Sequence, residues 1–322
     1  MILNDPIYGK TEITEPILSE LINSPLLQRL KKLSQYGIPD KYYHLKGYSR
    51  FEHSLGVMIL LRRLGATLEE QIAGLIHDIS HLAFSHVADW VFADGGKRDS
   101  NENLQDTLLK SFLSGKKVLK IFKKYNLSLE RLSREENFSL LEKPTPDLCA
   151  DRVDYALREF KYWLNPKIVE TILKNIINFN GEIAFSDKEV AFTFASNFLE
   201  LQTQHWGGFE STIRYHFFSQ ILKKAIEKKI IIKNDFYKDD VYITQKIEKF
   251  NEEEINKVLL VLKQKKLAKM DFLAGEKIYK KFRYVDPKII VGAKLEKLSI
   301  VNPKFNKEIE KHRKINEKGF CI

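Results

Sequence analysis

The stretch His77-Asp78-Ile79-Ser80-His81-Leu82-Ala83-Phe84-Ser85-His86 decides how this chain is read. It sets three imidazoles beside a carboxylate, and His44 and His53 lie shortly upstream, so five of the eight histidines fall between residues 44 and 86. Neutral nitrogen and anionic oxygen donors together suit a divalent transition metal, because they share the charge of the ion. The apolar pattern predicts a helix over 68–82, and the four-residue spacing of His77 and His81 then puts both rings on one face. Asp78 reaches the same ion from the neighbouring position. His53, in Ser49-Arg50-Phe51-Glu52-His53-Ser54-Leu55-Gly56, comes from a separate helix predicted over 51–64.

A later segment supplies the remaining ligand type. Between Asp147 and Trp163, residues Cys149, Val153, Ala156, Phe160 and Trp163 recur at helical spacing, and Asp151, Asp154, Tyr155 and Arg158 form the opposite polar face. Asp151 is the candidate carboxylate of that face. Other helices are predicted over 15–36, interrupted at Asn23-Ser24-Pro25, and over 103–125, 166–178, 189–203 and 209–229, with a polar turn at Phe179-Asn180-Gly181-Glu182. Beyond residue 230 the pattern changes. Ile230-Ile231-Ile232, Tyr242-Ile243 and Phe282-Arg283-Tyr284-Val285 read as short strands around a helix at 252–268. The expected architecture is mainly α, a helical body over 1–225 followed by a small basic α/β extension over 226–322.

Composition narrows the class. No run approaches the roughly 18 uninterrupted apolar residues of a membrane span, and the N-terminus lacks the pattern of a signal peptide. Cys149 and Cys321 are the only cysteines, which offers no disulfide framework and makes a reducing cytoplasm the expected home. Residues 221–322 hold 26 basic and 15 acidic side chains, so the whole net charge of +10 sits there and the first two-thirds is near neutral. Such a region can attract nucleic acid or polyphosphate, although its lysines alternate with glutamates as on an ordinary solvated surface.

These motifs resemble the HD-domain phosphohydrolases, and among them the deoxynucleoside triphosphate triphosphohydrolases. The family pattern of a His, a His-Asp pair and a distant Asp falls on His53, His77, Asp78 and Asp151. Asn4-Asp5-Pro6-Ile7-Tyr8-Gly9, Pro25-Leu26-Leu27-Gln28-Arg29-Leu30, Arg50-Phe51-Glu52-His53-Ser54-Leu55-Gly56-Val57 and Asp151-Arg152-Val153-Asp154-Tyr155 follow in family order. The resemblance spans roughly residues 1–225 and implies an HD-domain helical bundle. It makes those four residues the ligands of a divalent ion, among Mn, Fe, Mg, Zn or Ni.

The resemblance implies further roles. His86 matches the general acid, oriented by Asp89, and His81 a histidine near the α-phosphate. Arg50 and Arg152 match phosphate clamps, Tyr155 a phosphate or sugar contact, and Gln35 a glutamine near the 3′ hydroxyl. Relatives commonly assemble into homo-oligomers. The chain departs from the family at Ser80, Leu82 and Ala83, where glycine, glycine and proline are usual. It departs again at Asn101-Glu102, where a histidine precedes the glutamate.

The leading expectation is hydrolysis of dNTPs to deoxynucleoside and triphosphate. The alternatives are a phosphomonoesterase or phosphodiesterase on other nucleotides or nucleic-acid ends, and a metal-stabilised nucleic-acid-binding protein. Guanosine tetraphosphate hydrolases are set aside because no Glu-Asp pair follows His77-Asp78. The cyclic-dinucleotide branch is set aside because His81 stands where it has lysine.

Overall fold

The computed structural model describes residues 1–92, 104–267 and 277–321. The chain opens with an antiparallel hairpin, β1 (Ile2–Asp5) and β2 (Gly9–Glu12). Two short helices follow, α1 (Pro16–Ile22) and α2 (Pro25–Arg29), each with proline in its first turn, where the missing N–H leaves no bond unmade. Helix α3 (Arg50–Arg63) is the central element. Ser49 Oγ accepts from Glu52 N while the Glu52 carboxylate accepts from Ser49 N, and this reciprocal cap fixes the helix start at Arg50. Val57, Met58, Ile59, Leu60 and Leu61 are all buried, so α3 is enclosed on nearly every side.

Against it packs α4 (Leu68–Ile76), which Thr67 caps, while the next helix, α5 (Ser85–Phe92), packs against the later helix over Phe209–Glu227. After α6 (Leu104–Leu113), α7 (Lys116–Lys124) and α8 (Leu129–Leu132), helix α9 (Ala150–Trp163) crosses α3. Helix α10 (Pro166–Asn175) leads into the hairpin β3 (Ile176–Phe179) and β4 (Glu182–Phe185), which realises the predicted polar turn. Helices α11 (Lys188–Leu201) and α12 (Phe209–Glu227) are joined by a wider π-turn at Gln202–Trp206.

The C-terminal part contains α13 (Asp240–Phe250) and α14 (Glu253–Leu262), then β5 (Lys277–Ile278), β6 (Lys288–Val291), β7 (Lys294–Lys297), α15 (Leu298–Val301), α16 (Pro303–Lys318) and β8 (Phe320–Cys321). Strand β6 lies parallel to β4 and antiparallel to β7, so one sheet of order β3-β4-β6-β7 joins segments from either side of residue 225. The short pair β5–β8 is antiparallel. The mainly α architecture with a small C-terminal α/β part is as expected. Among the described residues no helix is long and apolar enough to cross a membrane.

Three strand expectations fail for local reasons. Ile230 and Ile231 both direct their N–H groups to Ala225 O, finishing α12, so those donors are unavailable to a ladder. Tyr242 and Ile243 lie inside α13, where Asp239 caps the Tyr242 N–H and Ile243 and Ile247 fall on the buried face. Phe282 and Tyr284 stack on each other beneath Arg313 instead of pairing in a sheet. A fourth correction concerns the site itself. Helix α4 ends at Ile76, His77–Ser80 tighten into a 3₁₀ turn, and His81 leaves with extended backbone (φ −55°, ψ 128°). His77 and His81 therefore do not share one α-helical face.

The turn after His81 is held from outside the HD-like segment. Phe84 and Ser85 adopt φ of 65° and 45°, a left-handed conformation unusual for residues with side chains. The Asp240 carboxylate, at the start of α13, accepts Phe84 N at 2.7 Å and Ser34 N at 2.8 Å. Arg29 donates to Ile79 O, His81 O and Lys238 O, tying the same turn to α2 and to the residues before α13.

Burial raises the Asp240 carboxyl to about 7. Between about pH 4 and 7 the unfolded chain therefore loses a proton that the folded chain keeps, so this residue's contribution to stability falls as pH rises through that window. We predict that the stability of Asp240→Asn, whose side chain does not titrate, rises by on the order of 4 kcal/mol relative to the native chain across that range in urea unfolding titrations. A pH-independent difference between the two proteins would contradict this.

Candidate metal centre and active-site cavity

The reciprocal cap at Ser49 and Glu52 places Arg50 and His53 one turn apart on the inward side of α3. Helix α9 can approach that side because residue 56 is glycine. A Cβ on Gly56 would lie 2.0 Å from both Arg158 Nη2 and Asp154 Oδ1. This close crossing brings Asp151 and Asp154, one turn apart on α9, against the two nitrogens of His53. The ring donates from Nδ1 to Asp154 Oδ2 at 2.8 Å, and its Nε2 lies 2.8 Å from Asp151 Oδ1. Asp154 is in turn held by Arg158, which also reaches Asp5 Oδ2 at 2.8 Å. Asp5 Oδ1 accepts Ile7 N and Tyr8 N, so the N-terminal hairpin is anchored to the same network.

His77 arrives from the end of α4. Its Nδ1 donates to Gly74 O at 2.7 Å, while Nε2 is buried, lacks a hydrogen-bond partner, and lies 3.4 Å from Asp78 Oδ1 and 3.6 Å from Asp151 Oδ1. One ligand atom each from His53, His77 and Asp151 lies within 4.8 Å of the others. Asp78 joins from the side, its Oδ2 3.9 Å from His53 Nε2 and bonded to Arg50 Nη1 at 2.7 Å. All four residues predicted as ligands thus converge.

The electrostatics describe a cluster short of positive charge at its centre. Burial opposes charge on both imidazoles, yet Asp151 and Asp154 raise His53, and Asp78 with Asp151 raises His77 to about 10. Burial likewise opposes ionisation of Asp151, but the two histidines hold it well below the usual carboxylate range. Two imidazoles, each braced from behind and each aimed at one carboxylate oxygen, need either protons or a cation between them. This donor set fits a divalent transition metal, with Asp154 and the Gly74 carbonyl fixing the ring orientations. A second cluster, Glu142, Cys149 and Asp151, shares one member with the first. There the Glu142 carboxylate is bonded to Arg152, and burial pushes the Cys149 thiol up.

The other predicted site residues surround a cavity of about 360 Å³, which His77, Asp78 and Asp151 also line. His86 lies on its wall with Nδ1 3.1 Å from Asp89 Oδ2. His81 Nε2 lies 3.2 Å from Asp78 Oδ1, and burial, reinforced by Arg50, lowers its pKa to about 3, so this ring is neutral. Arg50 is buried and pairs with Asp78, not with an acid of its own helix. Arg152 donates to Glu142, Asp147 O and Lys143 O. Gln35 lines the cavity and its buried Oε1 has no hydrogen-bond partner, and Tyr155 packs between His53 and Trp206. The departures at Asn101 and Glu102 lie outside the described residues.

Several lining residues escaped the sequence reading. Trp206, which reads as a packing residue, donates Nε1 to the buried Glu159 on the cavity wall. Tyr36, Tyr43 and Tyr215 complete an aromatic side, and Arg214, beside Tyr215, is a fully buried strut to Tyr42 O and Leu262 O.

Comparison with known proteins agrees with this geometry. The family model described as HD domain matches residues 50–159, the segment from Arg50 through Asp151 to Glu159. The uncharacterized protein YdhJ of Bacillus subtilis is 32% identical over 326 residues, covering all of this chain and 98% of that protein. This chain belongs to the HD-domain family of metal-dependent phosphohydrolases. The metal-dependent phosphohydrolase cns2 of Cordyceps militaris is 40% identical over 49% of this chain and 45% of its own length. The human deoxynucleoside triphosphate triphosphohydrolase SAMHD1 is 31% identical over 45% of this chain and 26% of its own. This HD-domain protein thus spans less than half of either of these two relatives.

The bracing of His53 gives a direct test by elemental analysis of purified protein. His77→Ala abolishes stoichiometric metal, whereas Asp154→Asn, which meets the far side of the His53 ring and also pairs with Arg158, weakens metal affinity by about 10–100-fold in protein shown to be folded. Metal content in Asp154→Asn equal to that of the native chain at limiting metal would contradict the assignment.

Proposed function

We propose that this chain hydrolyses deoxynucleoside triphosphates at the α-phosphate, releasing deoxynucleoside and inorganic triphosphate. The observation that carries this reading is that the His77, Asp78 and Asp151 donors and the His86–Asp89 pair line one cavity with Tyr36, Tyr43, Tyr155, Trp206 and Tyr215. Its volume falls in the ordinary range for small-molecule sites. The rings suit a nucleoside, and the charged end suits a phosphoryl group. A divalent ion held by His53, His77, Asp78 and Asp151 would polarise a phosphoryl oxygen and lower the pKa of a bound water.

The protein's own groups supply the rest. Asp89 accepts from Nδ1 of His86, leaving Nε2 as the nitrogen that gives a proton to the departing 5′ oxygen. Neutral His81 holds one Asp78 oxygen and Arg50 the other, which fixes that carboxylate's orientation. Gln35 Oε1, an acceptor without a protein donor, suits a sugar hydroxyl. Tyr155 stands one turn from Asp151, at the junction of the phosphate and aromatic ends. Arg50 and Arg152 line the phosphate end but are each paired with an acid there, Asp78 and Glu142. The partial similarity to vertebrate triphosphohydrolases supports the same substrate class.

The test is product identity. Each dNTP incubated with protein and Mn²⁺ yields inorganic triphosphate and deoxynucleoside. His86→Ala retains its metal and loses about 10²–10⁴-fold in kcat. Orthophosphate or nucleoside monophosphate as the product would rule out this reaction type.

A further inference from the structure

The two arginines that the sequence marks as phosphate clamps are committed inside the protein. Arg50 gives Nη1 to Asp78, Nε to Ser85 Oγ at 3.0 Å and Nη2 to Gln35 O at 3.3 Å. Arg152 gives Nη1 to Asp147 O and Nη2 to Glu142 and Lys143 O. Each faces an acid of its own, so together they add little net positive charge to a cavity that Asp78, Asp89, Glu135, Glu142, Asp151 and Glu159 also line. Among the described residues, the other permanent cations of the lining come from one short stretch outside the HD-matched segment, namely Lys280, Lys281 and Arg283.

That stretch is fixed in place at several points. Strand β5 pairs with β8 just before it, Asn316 Nδ2 donates to Lys280 O at 2.9 Å, and Gln202 Nε2 donates to Lys281 O at 3.2 Å. The rings of Phe282 and Tyr284 are stacked beneath Arg313. Lys280 is already placed over the Tyr215 ring and bonds Ser211 Oγ at 2.8 Å. Lys281 is exposed at the cavity edge, and Arg283 is near enough to act electrostatically on the Tyr155 hydroxyl, one turn from Asp151. An anchored backbone that adds Lys281 and Arg283 to the lining of an acid-rich cavity is an arrangement for an extended anion.

We propose that Lys281 and Arg283 form the rim that binds the terminal phosphates of a nucleoside polyphosphate, so that the C-terminal segment, and not the HD core, sets the preference for polyphosphate over monophosphate. This rests on the nucleotide reading of the site. It assigns part of the C-terminal basic charge to the small-molecule substrate, not to a nucleic-acid backbone.

The experiment measures affinity for inorganic triphosphate and for a deoxynucleoside monophosphate by calorimetry, on the full chain with a fixed excess of Mg²⁺. Lys281→Ala with Arg283→Ala weakens triphosphate binding about tenfold or more, the range expected for lost charge-assisted hydrogen bonds. Monophosphate affinity changes less than about twofold. Lys281→Arg with Arg283→Lys restores the triphosphate affinity, which separates charge from folding. In turnover the alanine pair raises KM for dNTP and leaves kcat within about twofold. Unchanged triphosphate affinity, or an equal loss for both ligands, overturns the proposal. A chain that releases no triphosphate from dNTPs, yet binds it through these two residues, would refute the reaction and leave the rim standing. A chain that turns over dNTPs with a KM indifferent to both residues would do the reverse.

Discussion

The structure depends on a buried relay of charge that runs from Asp5 through Arg158 and Asp154 to His53. Arg158 and Asp154 are fully buried, and each link is a hydrogen-bonded ion pair or a carboxylate–imidazole contact. Removing one member would leave an uncompensated charge in the core, a loss of about 3–5 kcal/mol. The relay also gives the N-terminal hairpin its purpose, because Asp5 both closes the turn before Tyr8 and neutralises Arg158. It requires α3 and α9 to cross at Gly56, and the same crossing brings Asp151 to His53. Stability and site geometry therefore rest on one contact.

A second constraint comes from the far end of the chain. The turn that carries His81 and leads into α5 leaves α4 through a 3₁₀ turn and passes through left-handed backbone, and contacts from outside add to its own turn bonds. Asp240 accepts Phe84 N, and Arg29 donates to the Ile79 and His81 carbonyls. His86, in the first turn of α5, is thus presented to the cavity by a turn braced by α2 and α13. The sheet that joins β4 to β6, and the bonds from Asn316 and Gln202, set the Lys280–Arg283 stretch at the same cavity. The site is assembled from segments spread across nearly the full chain.

How much of this was legible in the sequence follows from how local each signal is. His53, His77, Asp78 and Asp151 could be found because histidine clustering and a polar helix face survive without tertiary context, and family order joined them. The helix start at Pro25 was legible because proline acts within one turn, whereas the Ser49–Glu52 cap, which starts α3 at Arg50 and not at Phe51, was not read. Asp154 was visible only as part of a polar face, since nothing local says that its partner is His53 about one hundred residues earlier. Asp240 follows another aspartate at a helix start, where an ordinary cap is the natural reading, and its bonds to Ser34 and Phe84 are wholly tertiary. The β-branched run at Ile230 misled because its backbone donors finish a helix. The aromatic wall and the basic rim escaped for the same reason as Asp154, being gathered from separate segments.

The central claim is that one cation is held between His53, His77, Asp78 and Asp151 and faces the cavity. Anomalous diffraction from crystals of the protein loaded with Mn²⁺ tests it most directly. The account predicts a peak about 2.0–2.3 Å from His53 Nε2, His77 Nε2 and Asp151 Oδ1. A peak between Glu142 and Cys149 instead, or no peak beside His53 at saturating metal, would contradict it.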